Sequence, residues 1–182
     1  MKNILIINGH EYYEKAKGQL NKTLTERMVN KLSPTYNIKT TIVENGYEIK
    51  EEQEKFKWSD VIIFQSPVYW FNYPGVFKKY IDSVYEHGVF FQSADPYGTG
   101  GKLKGRYYML SVTWAASEDA FSKEQPFFEG KGVDDVLVAM HKTHQYVGLS
   151  PLKTLSNHSA YQPDIEKILN DTDKHLQEVF SL

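Results

Sequence analysis

The chain has no cysteine among its 182 residues. That removes disulfides, thiolate metal sites, iron–sulfur clusters and cysteine nucleophiles together, since each needs sulfur from the protein. Any redox chemistry must then be carried by a bound cofactor. Charge of one sign is scarce as well. With 21 Lys and Arg against 23 Asp and Glu, the formal net charge is -2, without the basic excess of a nucleic-acid binder or a block of like charges that marks a tail. No apolar run approaches the roughly 20 residues needed to span a bilayer. The first run, Ile4 to Ile7, is too short for a signal-peptide core, so a cytoplasmic location is the expectation. A Walker A loop, a G-x-G-x-x-G turn opening a helix, a G-x-S-x-G elbow and a Ser-His-Asp order are all missing, which argues against several nucleotide folds and against a hydrolase.

Aromatic side chains are what the chain has in abundance: 13 Tyr, 10 Phe and 3 Trp, 14% of the residues. The most informative stretch is 65–77, Gln-Ser-Pro-Val-Tyr-Trp-Phe-Asn-Tyr-Pro-Gly-Val-Phe. It sets a proline turn and the rings of Tyr69, Trp70 and Phe71 directly after the apolar strand Val61 to Phe64. A strand buried on both faces reads as a continuous apolar run, and open α/β sheets bind ligands beyond the carboxyl ends of such strands. Pro74 suits a first helical position, and Val76, Phe77, Tyr80, Ile81, Val84 and Tyr85 then recur at helical spacing. Planar-ligand stacking is one use of these rings and ordinary core packing is the other.

The remaining chain alternates in the same way. Asn3 to Asn8 reads as a buried strand, followed by a helix marked by Leu20, Leu24, Met28 and Leu32 and ended before Pro34. Ile38 to Val43 is a β-branched strand, Glu51 to Trp58 a short charged helix and Tyr107 to Thr113 a further strand. Val133, Val136, Leu137, Met140, His144 and Val147 form a helical stripe stopped by Gly148. Leu152 to Leu155 is the last strand and Asp164 to Phe180 the closing helix. Two long irregular stretches, Ser93 to Gly105 and Trp114 to Gly132, read as lids. Five strands alternating with five helices predict a single α/β domain over 1–182. Its architecture is a three-layer sandwich with a five-stranded parallel sheet in the flavodoxin-like order 2-1-3-4-5 and helices on both faces. In that order Gly9 to Gln19, Ser66 to Tyr73 and Trp114 to Phe121 converge on one edge.

Gly18, Gln19, Asn21 and Thr23 fall at a helix N-terminus, where unpaired N–H groups and the helix dipole attract phosphate; a plain capped helix reads the same way. A compact Ser/Thr-Gly-x-Thr phosphate loop is absent, and Gly98-Thr99-Gly100-Gly101 follows a turn and precedes a strand, so it reads as part of a lid. Ser111 to Ala116 ends a strand in small residues whose N–H groups could reach a ligand edge or simply form a turn. His141 and His144 are three apart on a helix without a third ligand nearby in sequence, which favours packing or a dimer contact over a metal. His10 follows the first strand, at the switch point, within reach of a phosphate or ribose.

Taken together, Gln19-Leu20-Asn21, Pro67-Val68-Tyr69-Trp70, Tyr97 to Gly101, Tyr108 to Ser111 and Thr113-Trp114 resemble the flavodoxin-like NAD(P)H:quinone oxidoreductases, of the modulator of drug activity B type, over essentially the whole chain. The resemblance implies an FAD-containing homodimer that takes hydride from NADPH or NADH and reduces quinones by two electrons in alternating half-reactions. By position it assigns Ala16, Lys17, Gly18, Gln19, Leu20, Asn21 and Thr23 to the FAD pyrophosphate and ribityl region. Pro67, Val68, Tyr69, Trp70, Thr113, Trp114, Ala115 and Ala116 would border the isoalloxazine. Tyr97 would contact flavin or substrate, in its own chain or across the dimer interface, and His10 and Phe121 match flavin-site positions of the wider family. Tyr69, Trp70, Tyr97 and Trp114 are the candidate catalytic residues, and no metal is implied. The mammalian enzymes carry a Tyr-His pair after the fourth strand; Phe121 and Phe127 fall there instead, so a side-chain charge relay is not expected. Exposed rings at Tyr12, Tyr13 and Phe128 would suit a dimer contact. A flavodoxin-like electron carrier or flavin-binding interaction module with little turnover is the alternative reading; it is disfavoured by the missing compact loop and the long lids.

Overall fold

β1 (Asn3–Asn8) is apolar at every interior position because both its faces are covered. Ile4 and Ile6 face one helical layer, while Leu5 and Ile7 face the other. The same alternation runs along β3 (Val61–Pro67) and β4 (Tyr107–Thr113), which together with β2 (Asn37–Ile42) form a parallel sheet. The computed structural model describes residues 1–180. With β5 at Ser150–Pro151, the sheet order is β2-β1-β3-β4-β5, the expected one, and a sixth strand lies beside β4.

α1 (Gln19–Leu32) and α6 (Ile165–Phe180) cover one face, burying Met28, Leu32, Leu176 and Phe180 against Ile4, Ile6, Val61, Ile63 and Met109. α2 (Ile49–Trp58), α3 (Gly75–Val84), α4 (Val133–Val136) and α5 (Val138–Tyr146) lie on the other. There Phe56, Phe77, Tyr80, Leu137 and Met140 pack with Leu5, Phe64, Tyr108 and Leu110. Each such fully buried apolar side chain contributes about 1.5–3 kcal/mol. A bidentate Arg27–Asp173 pair at 2.8 and 2.6 Å joins α1 to α6 on the surface.

Three expectations are corrected. The last strand is two short pieces, β5 (Ser150–Pro151) and β6 (Leu155–Asn157), and the stretch 152–154 lies between them. β5 pairs with Tyr107 and Tyr108 and β6 with Ser111 to Thr113, so the two form one interrupted edge along β4. The stripe from Val133 to Val147 is likewise two helices, broken at Leu137. Finally, β3 runs three residues beyond Phe64, because Gln65, Ser66 and Pro67 continue the ladder beside Ser111, Val112 and Thr113. Their polarity conceals a strand end that is nonetheless completely buried.

Candidate functional site

The carboxyl edge of the sheet holds a cleft of ≈ 360 Å³ between the start of α1, the end of β3, the end of β4 and the chain leading into α6. The segment after β1 is led there by two bonds: the Gly9 N–H donates to the Gln65 carbonyl at 2.9 Å and the His10 N–H to Asn8 Oδ1 at 3.0 Å. Across the cleft the Val68 N–H donates to the Thr113 carbonyl at 2.9 Å, which carries the β3–β4 pairing one residue past the strand.

α1 begins at Gly18, whose backbone is left-handed (φ 73°) and which supplies no side-chain cap. The first intrahelical bond is donated by the Lys22 N–H to the Gly18 carbonyl. The amides of Gln19, Leu20 and Asn21 precede that bond and have no carbonyl one turn back to accept them. All three residues line the cleft, beside Lys15 and Lys17, and the first turn carries no acidic residue. The positive end of the helix dipole, the open amides and two lysines give this end the donors and charge that suit an anion.

His10 is 8% exposed and neither ring nitrogen has a hydrogen-bond partner. Burial lowers its pKa against the opposing pull of Glu44, the Ala16 carbonyl and Glu11, so the ring is neutral. Its imidazole lies against Gly18, where a Cβ would overlap the ring. A buried imidazole with both nitrogens unpaired at the wall of a cleft is the orphaned polar group that a bound ligand satisfies. The floor is polar too: Asn21 Nδ2 donates to Thr113 Oγ1 at 3.2 Å. Tyr69 lines the opposite wall, its ring 5.5 Å from that of Tyr13, and burial raises its phenol pKa.

The structure therefore brings together His10, Ala16, Lys17, Gly18, Gln19, Leu20, Asn21, Thr23, Pro67, Val68, Tyr69, Thr113 and Ala115 around one cleft. The other candidates sit elsewhere. Trp114 is 4% exposed, turned to the opposite face of the sheet from Thr113 and packed on Phe121 and Phe128; its backbone N–H donates to the Asn157 carbonyl at 2.8 Å, while its buried indole Nε1 has no partner. The indole is thus no wall of this cleft. Phe121 stacks on Phe128 at 4.4 Å, which buries Phe128 and leaves Phe127 as the exposed ring. Ala116 uses its carbonyl to accept from the Ser159 N–H. Trp70 is 92% exposed at the tip of a turn, in an adjoining groove with Tyr13, Tyr69 and Tyr161. Trp70 and Phe71 both have positive φ, 49° and 63°, and the turn is closed by paired bonds between Tyr69 and Asn72. Tyr97, 87% exposed, leans on Tyr146 beside a separate groove, so within one chain the 93–105 segment does not cover the cleft.

Sequence reasoning missed Ala160, Tyr161, Pro163 and Ile165, which form the remaining wall. They follow β6, whose end lies beside that of β4; placing the last strand at Leu152 to Leu155 hid their position at the sheet edge. The helical histidine pair serves packing. His144 is stacked on Phe64 at 3.8 Å and hydrogen-bonded to the Tyr73 and Tyr85 hydroxyls, and His141 bonds to the Tyr108 hydroxyl and Asp134. Among the described residues no cluster of three or more His, Asp or Glu side chains could hold a metal ion, and no helix is long and apolar enough to cross a membrane.

A parallel sheet in this order with a cleft at the switch point between β1 and β3 defines a flavodoxin-like protein. The family model for the flavodoxin-like fold matches residues 2–180, and the chain belongs to that family. Within it, the chain is 40% identical over 190 residues to the NADPH:quinone oxidoreductase MdaB of Haemophilus influenzae, covering 98% of this chain and 99% of that protein. Two solved structures share the fold. A quinone-reductase candidate from Klebsiella pneumoniae superposes with TM-score 0.80 at 22% identity, over 99% of this chain and 85% of that one. General stress protein 14 of Treponema denticola, solved with FMN, gives TM-score 0.76 at 18% identity, over 100% and 99%.

Proposed function

We propose that the chain is a flavin-dependent NAD(P)H:quinone oxidoreductase, one flavin-binding domain over 1–182 that works in the cytoplasm as a homodimer. The observation that carries this reading is the cleft. Open helix amides and lysines stand at one end, a buried neutral histidine lies between, and the Pro67 to Tyr69 turn closes the other. The full-length similarity to an NADPH:quinone oxidoreductase supports it.

The donor set fits a flavin nucleotide. The Gln19, Leu20 and Asn21 amides with Lys15 and Lys17 would hold its phosphates, and Pro67, Val68, Tyr69, Thr113 and Ala115 would border its ring. Tyr161, Pro163 and Ile165 add a further largely apolar wall, which suits the adenine of FAD and makes FAD the expected form rather than FMN. A bound flavin would supply the hydride-accepting and two-electron-donating chemistry between NADPH or NADH and the quinone. The protein's contribution is placement. The neutral His10 can donate one hydrogen bond and accept another, Tyr69 offers a phenol proton that burial makes still harder to lose, and Trp70 presents a solvent-facing indole on which a flat acceptor can stack. Tyr97, which lines a separate groove in its own chain, would serve the cleft of the second copy. If donor and acceptor use one exposed ring face in turn, they cannot bind together.

The test is steady-state NADPH oxidation by the purified protein with menadione as acceptor. Parallel initial-rate lines support alternating half-reactions and converging lines contradict them. A flavin-loaded protein that turns over neither nicotinamide nor quinone overturns the enzyme reading in favour of an electron carrier.

A further inference from the structure

The central strands carry two polar side chains where the fold calls for apolar ones. Gln65 in β3 and Ser111 in β4 are completely buried register partners. They start a hydrogen-bonded ladder that ends in the cleft. Ser111 Oγ donates to Gln65 Oε1 at 2.6 Å, Gln65 Nε2 donates to Asn21 Oδ1 at 2.8 Å, and Asn21 Nδ2 donates to Thr113 Oγ1 at 3.2 Å. A leucine and an alanine would fill these positions without the desolvation cost of two buried polar groups.

The ladder has a direction. The Ser111 hydroxyl spends its one proton on Gln65, which fixes the carboxamide with oxygen toward β4 and nitrogen toward α1. That nitrogen obliges Asn21 to present its own oxygen inward, so its NH₂ faces Thr113. Thr113, already accepting from Asn21, has only the 3.4 Å approach to Asn21 Oδ1 as an internal use for its proton. The second Nδ2 hydrogen of Asn21 and the Thr113 hydroxyl proton are left for the cleft that both residues line. Between them, Asn21 and Thr113 give the cleft floor donors rather than acceptors.

Building on the proposed flavin site, we infer that Gln65 and Ser111 are positioning residues that lock Asn21 and Thr113 as hydrogen-bond donors toward an acceptor-bearing edge of the bound flavin. Neither touches the ligand, and each acts through the amide of Asn21. Were the Gln65 carboxamide reversed, its oxygen would meet the Asn21 oxygen, the Asn21 amide would have to turn over, and the floor would offer acceptors where the ligand has acceptors.

The experiment compares wild type with Ser111→Ala and Gln65→Met. It follows FAD fluorescence during titration of the apoprotein, the visible spectrum of the bound flavin, and the thermal midpoint of the apoprotein. The ladder predicts FAD affinity at least tenfold weaker per folded molecule in Gln65→Met, a smaller loss in Ser111→Ala, and a displaced visible band in both. Lower apoprotein midpoints with unchanged affinity and spectrum would make the ladder purely structural and overturn the inference. A wild type that binds no flavin would overturn the proposed function itself. If either variant fails to fold, side-chain amide NMR of the wild type decides. Saturation with FAD should shift the Asn21 Nδ2 and Gln65 Nε2 signals, and unmoved signals refute the assignment.

Discussion

Replacing Gly18 by alanine perturbs the cleft through two separable effects. The residue begins α1 at φ +73°, a left-handed conformation that costs an L-residue about 1–2 kcal/mol. Its added Cβ would also overlap the buried His10 imidazole. Relief requires the ring to move into the cleft or the helix start to shift, which adds strain of about 1 kcal/mol, at the low end for overpacking. At roughly 2–4 °C per kcal/mol for a chain of this size, the apoprotein midpoint should fall by about 4–12 °C. The displaced imidazole should also occupy space needed by the ligand. Removing the ring with His10→Ala should abolish the steric part and leave the backbone part. The double variant should therefore be more stable than the sum of the single losses predicts, by at least about 0.5 kcal/mol. Thermal melts of the four proteins, with and without FAD, measure both quantities. Additive losses, or a Gly18→Ala variant indistinguishable from wild type, would refute the proposed contact between the helix start and His10.

Gly9→Ala should destabilise by about 1–3 kcal/mol, read from urea midpoints, because the new methyl would overlap the Phe77 ring in the core. Tyr80→Phe should cost about 1–3 kcal/mol by the same assay, since the Tyr80 hydroxyl donates at 2.6 Å to the buried carboxylate of Glu52. His144 is held neutral by burial, with its pKa lowered to about 3 from 6.5. In the unfolded chain it takes up a proton below 6.5, so stability falls with acidity between about 6.5 and 3, by about 1.4 kcal/mol per pH unit once well below 6.5. Urea unfolding at pH 7.5 and pH 5 should show a loss of about 2 kcal/mol from this residue, with His10, His158 and His175 acting in the same direction; equal stabilities contradict it. Trp70→Ala should leave stability within about 0.5 kcal/mol, the side chain being solvent-exposed. It should still raise the KM for quinone, and an unchanged KM removes Trp70 from the acceptor site.

The sheet order was readable in the sequence because β1, β3 and β4 are buried on both faces and each carries an apolar run, Ile4 to Ile7, Val61 to Phe64 and Tyr107 to Leu110. The start of α1 was readable for a related reason: Gly18 and Asn21 follow a strand at the switch point. Side-chain direction was not readable. Trp114 comes one residue after Thr113, and the two-residue period of a strand sends them to opposite faces, one to the core and one to the cleft. The end of β3 was concealed because Gln65 and Ser66 look like loop residues, and their burial depends on partners in β4 and α1 far away in sequence. The wall formed by Tyr161 and Ile165 was missed because a two-residue β5 and a three-residue β6 carry too few residues to display a period.

A crystal structure of the protein grown with FAD tests most directly whether a flavin lies between the start of α1 and the Pro67 to Tyr69 turn. Predicted density places the diphosphate against the Gln19 and Leu20 amides and the ring beside Val68, Tyr69 and Thr113. Density for FAD in any other groove, or a cleft filled by the chain's own side chains under saturating FAD, would contradict it.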